Sequence, residues 1–310
     1  MTCKNACKLI FAGAAISLLF ALVACTASGD PVTVETMSNA GGKFSSSSVQ
    51  SSGNESSGVE SSSSESGNGV GRGSPVYDLL RWADFPGGKV KVNSVEFTFN
   101  AYSISVTEVT QAAYAEAMGG MPEQPKDAPE YPVVNVSWFD AVLFCNELSK
   151  SVGLDTAYVY SSVGAENYLQ DLEIDYGVEA FRLATEIEWE IAAHGGTNTM
   201  FYWGTDRASD FVYYGQTSGP TRVGSYPPNP YGLFDMAGNV AEWVNDWYGT
   251  FPTKAMDNYT GVSKGTARVV RGGGWSDPIK DCAPDVREKK DPLYTSASLG
   301  FRVVYSHGLL

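Results

Sequence analysis

The chain has 310 residues, 43% hydrophobic and only 18% charged, so it can build a sizeable core and is not a disordered polyampholyte. Lysines and arginines total 21 against 35 aspartates and glutamates, a net charge of −14. That balance argues against nonspecific nucleic-acid binding, which needs a basic surface. With two histidines, His194 and His307, a three-histidine metal site within one chain is excluded.

Lys4 and Lys8 precede an uncharged, mostly apolar run of 16 residues, Leu9 to Ala24. The run is short for a membrane-spanning helix and the right length for a signal-peptide core. It ends Leu22-Val23-Ala24-Cys25, small residues before a cysteine, which resembles a bacterial lipobox. The implied processing removes residues 1–24 and attaches acyl chains such as palmitate to the Cys25 thiol. The protein is then an exported, membrane-anchored lipoprotein of a bacterial cell envelope. An ordinary signal peptide or an uncleaved anchor are the alternatives, and both also export the rest of the chain. Export leaves Cys145 and Cys282 in a compartment that permits disulfides.

Residues 25–75 read as a disordered, serine-rich tether. From Ser45 to Ser66 there are 13 serines in 22 residues and no hydrophobic period. Such a segment cannot bury enough apolar surface to offset its ordering entropy. A phosphorylated segment or a glycan-bearing stalk is the alternative reading of this composition. Residues 76–310 read as a single domain, with 17 basic and 30 acidic residues, so the negative charge sits almost wholly there.

Within the domain a weak helix is predicted from Thr110 through Met118. A stronger one starts at Ser137, where Asp140 completes a capping box and Trp138, Ala141, Val142, Cys145 and Leu148 share a face. A third starts at Thr185 with Glu188 in the box position and stops at Gly195-Gly196. His194, at that helix end, is expected to be a cation favouring the dipole. Short strands are predicted at Val95–Phe99, Tyr158–Tyr160, Arg268–Val270 and Phe301–Val304. The Gly-, Pro-, Asn- and Asp-rich stretch from Trp203 to Arg268 reads as long functional or metal-tied loops.

Three constellations carry chemistry. Asp235 and Glu242 flank Gly238 in the run Asp235 to Trp243, and carboxylates with inward carbonyls suit calcium. The structural alternative is a helix start with Glu242 pairing an arginine. Arg271-Gly272-Gly273-Gly274-Trp275 lets backbone approach something closely; it is not a phosphate loop, and a tight crossover packed by Trp275 is an equal reading. Cys145 and Cys282 could be a disulfide, two separate thiols, or a catalytic Cys282. The acids Asp277 and Asp281 near Cys282 would raise its pKa and disfavour a reactive thiolate.

Six stretches together resemble the formylglycine-generating enzyme family, also called sulfatase-modifying factors. They are Glu108-Val109-Thr110, Pro132 to Trp138, Arg182 to Glu190, Pro227 to Trp243, Arg271 to Trp275, and Gly300-Phe301-Arg302. The resemblance implies a loop-rich α+β fold of the sulfatase-modifying-factor type, related to C-type-lectin-like domains. It implies an oxygen-dependent oxidase that converts a sulfatase cysteine to formylglycine, using copper held by two cysteines, with structural calcium. One calcium site maps onto Asp235, the carbonyls of Gly238 and Val240, and Glu242. The family's other calcium site has no counterpart, since its asparagine falls near Tyr213 and the loop before Val223 is too short; one calcium is expected. Of the catalytic pair, the second cysteine falls on Cys282 and the first on Asp277. Copper(I) prefers soft thiolates, so a Cys–Asp pair makes copper an unsuitable cofactor and the usual oxidase activity is expected to be lost. Related nonheme-iron sulfoxide synthases need more histidines than two. Ala184 also replaces the family's usual proline.

Two functions follow from these residues. One is a calcium-stabilised module that binds a protein or carbohydrate through loop aromatics Tyr213, Tyr214, Tyr226, Tyr231, Trp247, Tyr248 and Tyr259; that these rings only pack the loops together is an equal reading. The alternative is an active oxidase with an unusual copper site.

Overall fold

The computed structural model describes residues 74–308. The proposed signal peptide, Cys25 and almost all of the tether lie outside them. The described chain opens with a one-turn helix α1 (Pro75–Asp78), one residue ahead of the expected domain start. Four strands follow: β1 (Trp82–Phe85), β2 (Gly88–Val92), β3 (Val95–Phe99) and β4 (Tyr102–Ser105). Helices α2 (Gln111–Met118) and α3 (Trp138–Ser151) precede the short pairs β5 (Tyr158–Val159), β6 (Ser162–Val163), β7 (Leu169–Gln170) and β8 (Glu173–Ile174). Next come β9 (Glu179–Leu183) and α4 (Glu186–His194). After a long irregular stretch, β10 (Ala241–Trp247), β11 (Met256–Asp257), β12 (Arg268–Arg271), β13 (Glu288–Lys290), β14 (Leu299–Phe301) and β15 (Val303–His307) complete the fold.

The helix signals act as their chemistry requires. Ser137 Oγ accepts from the Asp140 N–H at 3.1 Å, and Asp140 Oδ2 accepts from the Ser137 N–H at 2.8 Å. Thr185 and Glu188 repeat the reciprocal cap on α4. Glu188 also takes a two-point ion pair from Arg182, 2.7 Å at both contacts, which ties the start of α4 to β9. Both helices therefore begin where local hydrogen bonds satisfy their free N–H groups, and tertiary contacts do the rest. Gly195 ends α4 at φ +59°, and a Cβ there would lie 2.7 Å from Pro230.

Two four-stranded sheets form the scaffold, ordered β1-β4-β15-β9 and β13-β12-β10-β14. β10 pairs antiparallel with β12 and parallel with β14. The sequence predicts one strand from Phe301 to Val304. Instead the chain changes sheet at Arg302, which is 1% exposed and turned inward onto Glu242. A charged group buried there needs its partner more than it needs a continuous ladder. One core packs α2, α3 and β9 around Trp138, Phe144, Phe181 and Phe301. A second packs α4 against the strands around Phe97, Tyr102, Trp189 and Val304. Cys145 belongs to the first, whereas Cys282 belongs to a third, small cluster with Trp203, Val212 and Ala237. Both thiols are free and buried, so the disulfide alternative does not hold.

Candidate functional site

The glycine-rich turn after β12 closes over Cys282. Gly272 and Gly273 adopt φ +87° and +63°, and a Cβ on Gly273 would lie 2.9 Å from the Cys282 sulfur. Glycine is needed at this position because backbone passes directly over the thiol. Asp277 does not point a free carboxylate at the sulfur; its Oδ2 accepts from the Gly274 N–H at 2.8 Å and closes the turn. Cys282 is 0% exposed, and its sulfur lies 3.8 Å from the Pro278 carbonyl. Burial, with Asp277 and Asp281 adding negative field, pushes its thiol up to about 12. The thiolate is therefore scarce at neutral pH. Cys145 is buried on α3, and burial raises its thiol further still.

The predicted calcium loop lies directly beneath this turn. Asp235, Gly238 and Asn239 all take positive φ, 56°, 75° and 55°, which curls the backbone tightly. The loop is not a helix start: it leads straight into β10. Asn239 is its keystone. It donates to Glu108 Oε1 at 3.0 Å, accepts from the Thr221 N–H at 2.9 Å, and its carbonyl accepts from the Trp275 N–H at 2.6 Å. The loop and the glycine turn are thus one hydrogen-bonded body.

Of the structural alternative for Glu242, the arginine pair is realised and the helix start is not. Its two oxygens accept from Arg302 Nε and Nη2, each at 2.7 Å, and Oε2 also accepts from Trp189 Nε1 at 2.7 Å. Asp235 Oδ2 accepts from the Gly224 N–H at 2.6 Å, yet burial still raises its pKa to about 6. The acid that sequence reasoning left without a role is Glu108. It is 0% exposed, and its Oε2 has no hydrogen-bond partner. Burial first, then Asp235, raise its pKa well above the usual carboxylate range. Its place in the Glu108-Val109-Thr110 motif was the available signal. Among the described residues no three His, Cys, Asp or Glu side chains gather closely enough to hold a metal by themselves. Cation binding here would combine Asp235 and Glu108 with backbone carbonyls, the hard oxygen set calcium prefers.

His194 corrects the sequence expectation. It is 4% exposed, and burial, with help from Arg271, lowers its pKa to about 4. The ring is neutral at pH 7 and contributes no charge to the helix dipole. The loop aromatics divide. Tyr231 packs edge-on to Phe85, Tyr259 against Phe97, and Tyr248 beneath Arg287. Tyr213 pairs with Tyr226, and Tyr214 packs on the Cys282 cluster. Trp247 lies on a cleft of about 1020 Å³ whose floor includes Arg268.

A loop-rich α+β domain whose glycine turn, arginine–glutamate pairs and curled Asp235 loop form one unit defines a sulfatase-modifying-factor class. The chain belongs to the sulfatase-modifying factor enzyme 1-like domain family, whose model matches residues 85–307. It is 31% identical over 215 residues to the formylglycine-generating enzyme of Thermomonospora curvata, 61% of this chain and 60% of that protein. It is 26% identical over 257 residues to chaperone protein LppX of Paenibacillus barcinonensis, 74% of this chain and 88% of that protein. The match to serine/threonine-protein kinase pkn1 of Chlamydia pneumoniae is 41% identical over 125 residues, 39% of this chain, but spans only 20% of that protein. Among solved structures, Treponema denticola variable protein 1 superposes with a TM-score of 0.67 at 30% identity, covering 73% of this chain and 94% of its own.

Proposed function

We propose that the chain is an exported protein, lipid-anchored through Cys25, whose domain binds a partner and lacks the family's usual copper oxidase activity. The observation that carries this reading is the Asp277–Cys282 corner. The carboxylate where a first thiolate would stand is used to close the turn, and the remaining thiol is buried with its pKa raised. A two-thiolate copper site does not fit these residues, because the other described cysteine, Cys145, sits in a different core cluster. No oxidative step is derived from them.

One calcium fits better. Glu108 and Asp235 lie close enough to share a proton, and burial raises the pKa of both, so a bound cation would take that proton's place. Asp235, Glu108 and the carbonyls of Gly238 and Val240 would hold the ion, with Glu242 contributing from its arginine pair. Bound calcium would neutralise these carboxylates and stiffen the loop that carries the glycine turn. The similarity to a protein named as a chaperone, along most of its length, supports a binding role.

The test is turnover. The full chain, supplied with copper and calcium, is incubated with a peptide carrying Cys-x-Pro-x-Arg, and the peptide is read by mass spectrometry. No aldehyde product is expected. Aldehyde that disappears in Cys282→Ser would overturn the reading and install an active oxidase, the activity to which the similarity with formylglycine-generating enzymes points.

A further inference from the structure

Trp247 and Arg268 face each other across the β10–β12 pair. The Arg268 guanidinium carbon lies 3.4 Å from the Trp247 ring centre and 3.7 Å from that of Trp138. Both faces of the planar group are therefore covered by indole, and only its edge can make hydrogen bonds. Nη1 donates to the Asn245 carbonyl at 2.7 Å, Nε has no partner, and Nη2 has no acceptor among the described residues. The other buried arginines, Arg182, Arg271 and Arg302, each hold a glutamate. Arg268, only 4% exposed, holds none among the described residues. Burial lowers its pKa to about 10, so it remains a cation at neutral pH.

Asp246 acts on Arg268 only through its field, with no ion pair between them. A desolvated guanidinium without a directly paired carboxylate is costly, and its fork matches one. Arg268 lines the cleft of about 1020 Å³, which has the volume of a ligand site rather than of a single small ion. Asp171, Glu173 and Asp291 also line it, as do Tyr168 and Leu293, which are 46% and 38% exposed. These acids, with the chain's net charge of −14, repel a multiply charged anion such as a nucleotide. They favour a ligand with one anionic end and cationic or apolar groups behind it. None of the cleft's lining residues belongs to the Cys282 corner.

We propose that this cleft binds the carboxyl-terminal segment of a peptide, its α-carboxylate on the Arg268 edge and preceding basic and apolar side chains against the acidic and aromatic walls. The proposal rests on the binding reading above and names its ligand class.

The test is affinity selection on the immobilised full chain from two synthetic random hexapeptide libraries, one with free carboxylates and one with carboxamides, read by mass spectrometry. At least about tenfold greater enrichment from the free-acid library is expected, with lysine and arginine over-represented among the captured peptides. The rim double variant Asp171→Asn/Glu173→Gln should keep the carboxylate requirement and lose the basic preference. Arg268→Gln should reduce free-acid capture to the carboxamide level. If that variant does not fold, the two-library comparison on the unaltered chain decides alone. Equal enrichment from both libraries overturns carboxylate recognition while leaving a peptide-binding module standing. No enrichment from either overturns the peptide site. Turnover in the oxidase assay would instead sink the reading beneath it.

Discussion

Two groups of largely buried carboxylates lie on either side of Trp189, and they are compensated differently. On one side Glu186 and Glu190 share Arg271 and Arg287: Arg271 reaches Glu190 at 2.5 Å and Glu186 at 3.2 Å, and Arg287 reaches Glu186 at 2.8 Å. On the other side Glu108, Asp235 and Glu242 have one cation, Arg302, and Glu242 takes it. The Trp189 N–H belongs to Glu242, while Arg271 stands 5.3 Å over its ring. The same residue types thus build a self-contained brace on one side and a cluster with fewer cations than acids on the other. Charge count, not residue identity, separates the two.

The largest effect expected is on the side with least compensation. Arg302→Met leaves the buried Glu108 and Glu242 and the half-buried Asp235 with no cation, and should cost about 3–5 kcal/mol in denaturant unfolding of the full chain. Arg271→Met should cost less, because Arg287 still holds Glu186. Equal losses would mean the two clusters are not distinct.

Calcium should sharpen the same contrast. At a concentration a hundredfold above its dissociation constant it should stabilise the chain by about 2.7 kcal/mol. Glu108→Gln should remove most of that gain, whereas Glu190→Gln should leave it intact. A calcium response unaffected by Glu108→Gln would place the ion elsewhere.

The smallest effect concerns His194, beside Arg271. Its folded pKa of about 4 lies below the ordinary 6.5, so the unfolded chain takes up the proton first. Its contribution to stability is present above about pH 6.5 and is lost as pH falls towards about 4. His194→Phe, which keeps a ring in the space, should change stability at pH 7 by less than about 1.5 kcal/mol and flatten that acid limb. An unchanged acid limb would show that His194 is not buried neutral.

Much of this was legible before any fold was drawn. The starts of α3 and α4 follow from Ser137–Asp140 and Thr185–Glu188, because a capping box is a contact between residues three apart. The Glu108, Asp235 and glycine-turn motifs could be read as one family's pattern, and the Asp277 replacement with them. Other features had no local signal. Phe301–Val304 reads as one strand, yet Arg302 splits it because Glu242, 60 residues away, captures the guanidinium. The loop tyrosines look like a presented surface, but each is half-buried against a neighbouring element or ring. Glu108 was visible only as a motif letter; that its Oε2 is an unpartnered oxygen depends on Asn239, 131 positions further on.

The sequence by itself determined the family and the helix boundaries, since each rests on residue identity or on spacing within a few positions. Only the tertiary structure decided that Cys282 is sealed beneath Gly273, that Glu242 belongs first to Arg302, and that Arg268 lies between Trp138 and Trp247 without a directly paired carboxylate. These are properties of burial and charge balance, which depend on which distant side chains arrive together and how much water they exclude.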